Sequence, residues 1–207
     1  MKKLSFIAID DLANKAFSSL SATELFSDKE INYLANACYS VPKDFIKIGD
    51  VGEENKLSVG RFMVDKKGEL PVYCNDPVGQ KVVDILSSGK CFKFFKEVMG
   101  GDYFIRRCQA NMITEGGFIG KHIDTYSNFD YRYSVVIQFG QSYGGGKFFV
   151  DFKDDLHKVK TSFADMIINR CEIPHGVESV TNGKRMSLVF FLSKNSLDIK
   201  NLENNQI

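Results

Sequence analysis

The feature that most constrains the fold is a change of periodicity at Gly101. Before it, apolar residues recur mainly at helical spacing. After it, short β-branched and aromatic runs alternate with Gly, Asn and Asp clusters, which is typical of successive short strands. We predict eight strands: 103–113, 117–124, 132–140, 146–153, 157–161, 164–170, 176–180 and 185–193. Eight short strands indicate a jelly roll or sandwich.

The first hundred residues are predicted to form mainly helices and connectors. Ser27 followed by Glu30 is a capping-box pattern ahead of apolar residues at helical spacing. A second helix is predicted from Asp76, the candidate N-cap, and a third from Lys90 to the two glycines that end the segment.

The last predicted strand is apolar on both faces. A strand buried on both sides requires cover on its outer face, which the helices must supply. We therefore expect a mainly β fold, a jelly roll buttressed by N-terminal helices. We expect a single domain over 1–207, with helical support and connectors at 1–101, a β core at 102–193 and a tail at 194–207.

The charge balance argues against polyanionic partners. Lys and Arg number 27 against 26 Asp and Glu, so a net charge of +1 gives no field that gathers nucleic acid or anionic lipid. The five cysteines are odd in number and none forms a C-x-x-C pair, which fits a reducing compartment. Without a signal-like or membrane-spanning run, we expect a cytoplasmic protein of undetermined oligomeric state.

Two of the three histidines suggest a metal site. His122 and Asp124 are two residues apart inside a predicted strand, so their side chains leave the same face, and His175 opens a later strand. Two imidazoles and one carboxylate are the ligand set of the facial triad that binds non-haem Fe(II). The alternative is a hydrogen-bonded surface pair with His175 in a turn. His157 lies in a charged stretch and is interpreted as a solvated turn residue.

A candidate anion site follows the histidines. Arg185 begins an otherwise apolar strand, and an unpaired buried charge is costly, so it needs a partner. Ser187 lies on the same face, and a guanidinium beside a hydroxyl can hold a carboxylate. A core acid such as Asp165 is the alternative partner.

Four segments in this order carry a family resemblance: GKHID at 120–124, GGGKFF at 144–149, IPHGV at 173–177 and GKRMSLVFFL at 183–192. Over roughly 103–193 the chain resembles the 2-oxoglutarate- and Fe(II)-dependent oxygenases, especially their prolyl-4-hydroxylase-like branch. The resemblance implies a double-stranded β-helix, a cupin-like jelly roll. It also implies hydroxylation of an unactivated carbon, coupled to oxidative decarboxylation of 2-oxoglutarate to succinate with O2.

The resemblance also implies roles for individual residues. His122, Asp124 and His175 would hold Fe(II), and Arg185 with Ser187 would bind the distal carboxylate of 2-oxoglutarate.

The chain departs from the family pattern at two places. Met112 stands where many relatives have a tyrosine that contacts the cosubstrate, so its neighbour Asn111 is the candidate second contact. Ala164 and Asp165 replace a glycine before the strand that leads to the second histidine. Asp124 is the carboxylate that halogenases of the family lack, so hydroxylation or a related oxidation is expected.

Candidate substrate contacts come from the loop after the first ligands and from neighbouring strands. They are Tyr126, Asn128, Arg132 and Lys147, with Arg106 as a further candidate. Residues 125–133 could form a pocket wall, a lid or an ordinary surface loop. The modest length favours a small molecule, an amino acid or related metabolite, over a protein partner. A peptidyl (prolyl-type) hydroxylase and a non-enzymatic cupin-like metal- or ligand-binding module are the alternatives.

Overall fold

The computed structural model describes residues 2–66 and 69–195. Within them the helices are α1 (Lys2–Lys15), α2 (Asp28–Ser40), α3 (Val78–Leu86) and α4 (Gly89–Val98). The strands are β1 (Phe17–Ser21), β2 (Asp44–Ile48), β3 (Glu54–Val64), β4 (Val72–Tyr73), β5 (Phe104–Thr114), β6 (Ile119–His122), β7 (Tyr131–Gln138), β8 (Tyr143–Gly145), β9 (Phe148–Phe152), β10 (Asp155–Val159), β11 (Asp165–Arg170), β12 (His175–Val177) and β13 (Val180–Ser193).

The described strands form one curled antiparallel sheet. Its order is β1-β11-β7-β13-β5-β3-β6-β12-β9-β10, with β2 and β4 paired to β3 and β8 paired to β13. The predicted mainly β jelly roll with supporting helices is confirmed. The chain order within the sheet is far from sequential, so residues distant in sequence become neighbours.

Strand β13 separates two apolar cores. Phe190 and Leu192 are fully buried against the helices, in a cluster that includes Phe94 and Phe95. Val189, one residue along, faces the interior of the curled sheet. Alternation along the strand sends successive side chains to opposite faces, as the two-sided apolar pattern predicted. Burial of each large side chain stabilises the fold by about 1.5–3 kcal/mol.

The predicted capping box of α2 is present. The Ser27 hydroxyl accepts from the Glu30 backbone N–H at 3.4 Å, and the Glu30 carboxylate accepts from the Ser27 N–H at 2.8 Å. The Ser27 backbone hydrogen bond is the main reason that the pKa of Glu30 is lowered. Helix α3 begins at Val78 with Pro77 in the cap position, so the predicted cap at Asp76 is displaced by one residue.

The first hundred residues contribute more than helices and connectors, which corrects the prediction for 1–101. They also supply β1 to β4, and β3 lies inside the sheet between β5 and β6. Residues 54–64 carry Glu, Asn, Lys, Ser, Gly and Arg among their apolar positions, which disguises the strand period. Helix α1 was also not predicted, because only Ser5, Ala8 and Leu12 of its residues are buried.

Two details of the second half differ from the expectation, and a third is not tested. The predicted strand 146–153 is preceded by a separate short strand, β8, and His157 lies in β10 beside the Phe17 ring rather than in a turn. Residues 196–207 of the predicted tail lie outside the described residues.

The five cysteines are free thiols. No helix in the described part of the chain is long and apolar enough to cross a membrane.

Candidate metal and cosubstrate site

Strands β6 and β12 bring the two predicted histidine ligands together. These strands pair with His175 opposite His122, and the ring centroids lie 4.5 Å apart. Asp124 was expected in the same strand as His122. Instead β6 ends at His122, and Asp124 opens a short 3-10 helix, Asp124–Tyr126. This turn still directs the Asp124 carboxylate towards both imidazoles.

The three side chains form a compact donor cluster. His122 Nε2 lies 3.3 Å from one Asp124 carboxylate oxygen, and His175 Nε2 lies 3.2 Å from the other. One donor atom from each residue falls within 4.8 Å of the others, so the cluster could hold a metal ion. Asp124 and His175 are buried, which limits competition from water.

Backbone carbonyls orient both rings. His122 Nδ1 donates to the Gly120 carbonyl oxygen, and His175 Nδ1 donates to the Ile173 carbonyl oxygen, each at 2.8 Å. A ring that donates from Nδ1 keeps the Nε2 lone pair for a ligand. Both Nε2 atoms therefore face the cluster centre in the form that binds a metal.

Electrostatics keep the carboxylate ionised. Burial would raise the pKa of Asp124, but the neighbouring His175 and His122 outweigh it and hold that pKa well below its ordinary value. Burial would lower the pKa of His122, but the hydrogen bond and charge of Asp124 outweigh it and raise that pKa. An ionised carboxylate between two ring nitrogens is the donor set expected for a divalent transition metal.

Arg185 lies inside the same cavity and is 1% exposed. Its Nη1 donates to the Ser187 hydroxyl at 3.1 Å. Within residues 2–66 and 69–195, its Nε and Nη2 have no hydrogen-bond partner. Burial lowers the pKa of Arg185, and the adjacent Tyr143 partly opposes this. Asp165, the alternative partner, instead accepts from the Ser162 N–H at 2.6 Å.

Gly146 belongs to the GGGKFF segment and packs beside Arg185. It has φ +59°, and a Cβ added there would lie 3.2 Å from the Arg185 Cδ. A larger residue would press on the guanidinium stem in addition to straining the backbone. The absence of a side chain at Gly146 therefore leaves room for the Arg185 side chain.

Asn111 faces the cavity, whereas Met112 packs against the helix-side core. The Asn111 Oδ1 accepts from Gln109 Nε2 at 2.9 Å, and the Gln109 Oε1 accepts from Arg107 Nε at 2.8 Å. Alternate residues of β5 thus present a polar row along the cavity wall.

The predicted substrate contacts lie elsewhere. Tyr126 is 75% exposed, and Arg132 and Lys147 also point to solvent. Asn128 donates to Asp65 at 2.6 Å, a structural contact. The 3-10 turn after Asp124 directs Tyr126 outward, and none of these four side chains lines the cavity. Arg106 is likewise outside it, where Asp65 accepts from its Nε at 2.9 Å.

Several cavity residues were not identified from the sequence. They include Arg61 on β3, Arg107 and Gln109 on β5, Ser127, and the β2–β3 connection around Asp50 and Glu53. Arg107 and Gln109 occupy alternate positions of a predicted strand, a weak signal. Which face of that strand points inward depends on closure of the sheet, which no local pattern records.

Comparison with known proteins identifies the family. The model of the 2OG-Fe(II) oxygenase superfamily matches residues 108–193. A structure described as an oxidoreductase of the 2OG-Fe(II) oxygenase family, from Burkholderia pseudomallei, is 31% identical with a TM-score of 0.85. The match covers 92% of this chain and 91% of that one. The chain belongs to the 2OG-Fe(II) oxygenase superfamily.

This oxygenase therefore uses Fe(II), 2-oxoglutarate and O2. More distant structures share its fold. A prolyl-4-hydroxylase from Pseudomonas putida is 15% identical with a TM-score of 0.65, covering 92% of this chain and 99% of that one. HygX from Streptomyces hygroscopicus, solved with nickel and 2-oxoglutarate, is 10% identical with a TM-score of 0.64, covering 91% and 86%. The chain matches no curated protein.

Proposed function

We propose that this oxygenase hydroxylates an unactivated carbon of a small molecule, an amino acid or related metabolite. In this proposal His122, Asp124 and His175 hold Fe(II). Arg185 and Ser187 bind the distal carboxylate of 2-oxoglutarate, and Asn111 makes a second contact to the cosubstrate.

The observation that carries the proposal is the incomplete hydrogen bonding of Arg185. A buried guanidinium with two unpartnered nitrogens costs roughly several kcal/mol unless an anion completes its hydrogen bonding. The cavity that holds it also holds the His-Asp-His cluster. A dicarboxylate that reaches both explains why these groups share one buried space.

The protein's own residues position the metal and the cosubstrate and do not themselves react. Bound iron with 2-oxoglutarate and O2 supplies the oxidising power, releasing succinate and CO2 as it does so. His122 and His175 are pre-oriented by backbone carbonyls, so little freedom is lost when they bind a metal. Ser187 fixes one side of the Arg185 fork, which leaves the other N–H groups for a carboxylate.

The ligand assignment is tested with His175→Ala. Removing one of three ligands should abolish 2-oxoglutarate turnover to succinate and weaken Mn(II) binding by about 10–100-fold or more. Metal affinity is measured by titration calorimetry and succinate by chromatography. His157→Ala is the matched control, because His157 lies outside the cavity, and should retain both properties. Substrate-dependent succinate formation by His175→Ala would refute the assignment.

The substrate class needs a separate test, because similar folds occur in proteins of different kinds. One distant structure is a prolyl hydroxylase with a hypoxia inducible factor peptide fragment, and another is HygX with hygromycin B. Succinate release should be compared with free amino acids, related metabolites and proline-containing peptides. We expect stimulation by a small molecule; stimulation by peptides alone would favour a peptidyl hydroxylase.

A further inference from the structure

The cavity has a second cationic end. Arg107 on β5 lies opposite Phe191 of β13, whereas Arg185 lies opposite Ile113 of β5. Along β5, Arg107 and the partner position of Arg185 are six strand steps apart, which corresponds to about 20 Å between the Cα atoms of the two arginines. One 2-oxoglutarate molecule bound at Arg185 therefore leaves Arg107 free for a different anion.

Contacts within the protein orient the Arg107 guanidinium for binding such an anion. Its Nε donates to Gln109 at 2.8 Å, and its guanidinium lies 5.8 Å from the centroid of the Phe191 ring. These contacts fix the plane of the side chain, so little side-chain freedom remains to be lost on binding. The Arg107 Nη1 forms an ion pair with the carboxylate of Asp50.

Asp50 supplies an exchangeable partner at the cavity mouth. It lies in the connection between β2 and β3, and its side chain is 55% exposed. Because the Asp50 side chain is more than half exposed, solvent screens its pairing with the partly buried Arg107, and a better-buried carboxylate can compete for the guanidinium. Asp50 would then be available to a cation. Glu53 of the same connection adds a second carboxylate, which accepts from Asn55 Nδ2 at 3.0 Å.

On β5 and β13, the cavity-facing side chains between the two arginines are uncharged, and the apolar Val189 lies opposite Gln109 of the polar row. Val189 faces the cavity between the positions of Arg185 and Phe191, and it pairs with Val136 of β7. An uncharged group suits this part of the wall, whereas charged groups suit the Arg107 end.

We propose that Arg107 and Asp50 recognise the carboxylate and the ammonium of a free amino acid with an uncharged side chain. This inference rests on the proposed function and narrows its substrate class. Arg107 anchors the carboxylate, Asp50 accepts from the ammonium, and the side chain extends along the valine-lined wall. A residue within a peptide lacks both charges and gains neither contact.

The substrate class is tested by chemically blocking the ammonium and the carboxylate of the amino acid. Succinate release by the full chain with Fe(II) and 2-oxoglutarate is measured with the common L-amino acids and with their N-acetyl amides. We expect at least one uncharged free amino acid to stimulate release, and its N-acetyl amide to have no effect. Equal stimulation by the blocked form would overturn the inference, as would no stimulation by any free amino acid.

The residue roles are tested by substitution. Arg107→Gln should raise the KM for the stimulating amino acid about tenfold or more, since a hydrogen bond to a charged group contributes about 1.5–3 kcal/mol. Arg107→Lys should rescue part of this loss. Arg170→Gln, which removes an arginine paired with Glu172 outside the cavity, should leave the KM unchanged. An unchanged KM in Arg107→Gln would overturn the assignment.

Asp50→Asn tests whether the protein recognises the ammonium group of an amino acid and not only a carboxylate. Losing the contact to the ammonium should raise the KM for the amino acid. A lowered KM would mean that Asp50 only competes for Arg107, which would overturn the ammonium assignment.

Binding of 2-oxoglutarate to the anaerobic Mn(II)-loaded protein distinguishes failure of the substrate inference from failure of the proposed function. If wild type binds 2-oxoglutarate and no free amino acid stimulates turnover, only the substrate inference fails. If wild type does not bind 2-oxoglutarate, the proposed function fails with it.

Discussion

Two equally buried arginines differ in what surrounds them. Arg106 and Arg185 are both 1% exposed. Arg106 forms an ion pair with Asp65, which also accepts from Tyr131 at 3.0 Å. Arg185 donates one hydrogen bond, from Nη1 to the Ser187 hydroxyl, and its other two nitrogens lack hydrogen-bond partners among the described residues. The first arrangement is that of a structural pair, and the second is that of a ligand site.

This contrast predicts opposite effects on stability. Arg185→Leu should stabilise the metal-free protein by about 1–4 kcal/mol, because it removes an incompletely paired buried charge. Arg106→Leu, the matched control, should destabilise it by about 3–5 kcal/mol, because it leaves Asp65 without its cation. Urea unfolding measures both free energies. A marked loss of stability in Arg185→Leu would show that its pairing is already satisfied without a ligand.

The arginines also mark a limit of sequence reasoning. Arg185 was identified because a lone charge in an apolar strand is conspicuous. Arg106 and Arg107 are adjacent and chemically identical, and Arg106 was the one named from the sequence as a candidate substrate contact. A pairing irregularity between β5 and β13 falls beside them, and Arg107 is the one that faces the cavity. The sheet's register decides this, and register is a property of two strands together.

At the scale of elements, the sequence predicted those features of helices and strands that depend on residues close together in the chain. The capping box of α2 and the apolar alternation of β13 are both recorded in adjacent residues, and both are confirmed. Strand β3 was missed because its cavity-facing positions include the polar residues Asn55 and Arg61, so its pattern is not that of an ordinary half-buried strand. The order His-x-Asp, His, Arg-x-Ser located the candidate site, but the carboxylate comes from a 3-10 turn rather than a strand.

The β9–β10 hairpin has a turn whose residues are poorly matched to its geometry. Lys153 and Asp154 join strands that pair at Phe152 and Asp155, and they have φ +54° and +62°. Two successive positive φ values define the type I′ turn, which strongly prefers Asn-Gly. Both residues are exposed, so the strain has no compensating burial.

Asp154→Gly should therefore stabilise the protein by about 1 kcal/mol or less, because relief of the left-handed backbone is worth about 1–2 kcal/mol and the greater freedom of glycine in the unfolded chain offsets roughly 0.5–1 kcal/mol of it. The urea midpoint should rise with an unchanged slope of free energy against urea concentration. Asp155→Gly is the matched control, because it places the same substitution one residue into β10, where glycine weakens a strand. A lower midpoint for Asp154→Gly would contradict the turn argument.

At the scale of the whole molecule, the candidate site exists only when the sheet has closed. His122 and His175 lie on β6 and β12, while Arg185 lies on β13, on the far side of β5 and β3 in the sheet order. The unfolded chain cannot hold these groups together, because more than fifty residues separate His122 from His175. A ligand that bridges them must bind the folded state and not the unfolded chain.

Linkage then predicts a stepwise stabilisation. Mn(II) at about 100 times its Kd should stabilise the folded protein by about 2.7 kcal/mol, and saturating 2-oxoglutarate should add a similar increment. Under anaerobic conditions, thermal unfolding should show two successive rises in Tm. His175→Ala should lose both rises, whereas Arg185→Leu should keep the rise with Mn(II) and lose the one with 2-oxoglutarate. If 2-oxoglutarate stabilised wild type and Arg185→Leu equally, its distal carboxylate would have to bind elsewhere, and Arg107 and Arg61 would be the candidates in the described cavity wall.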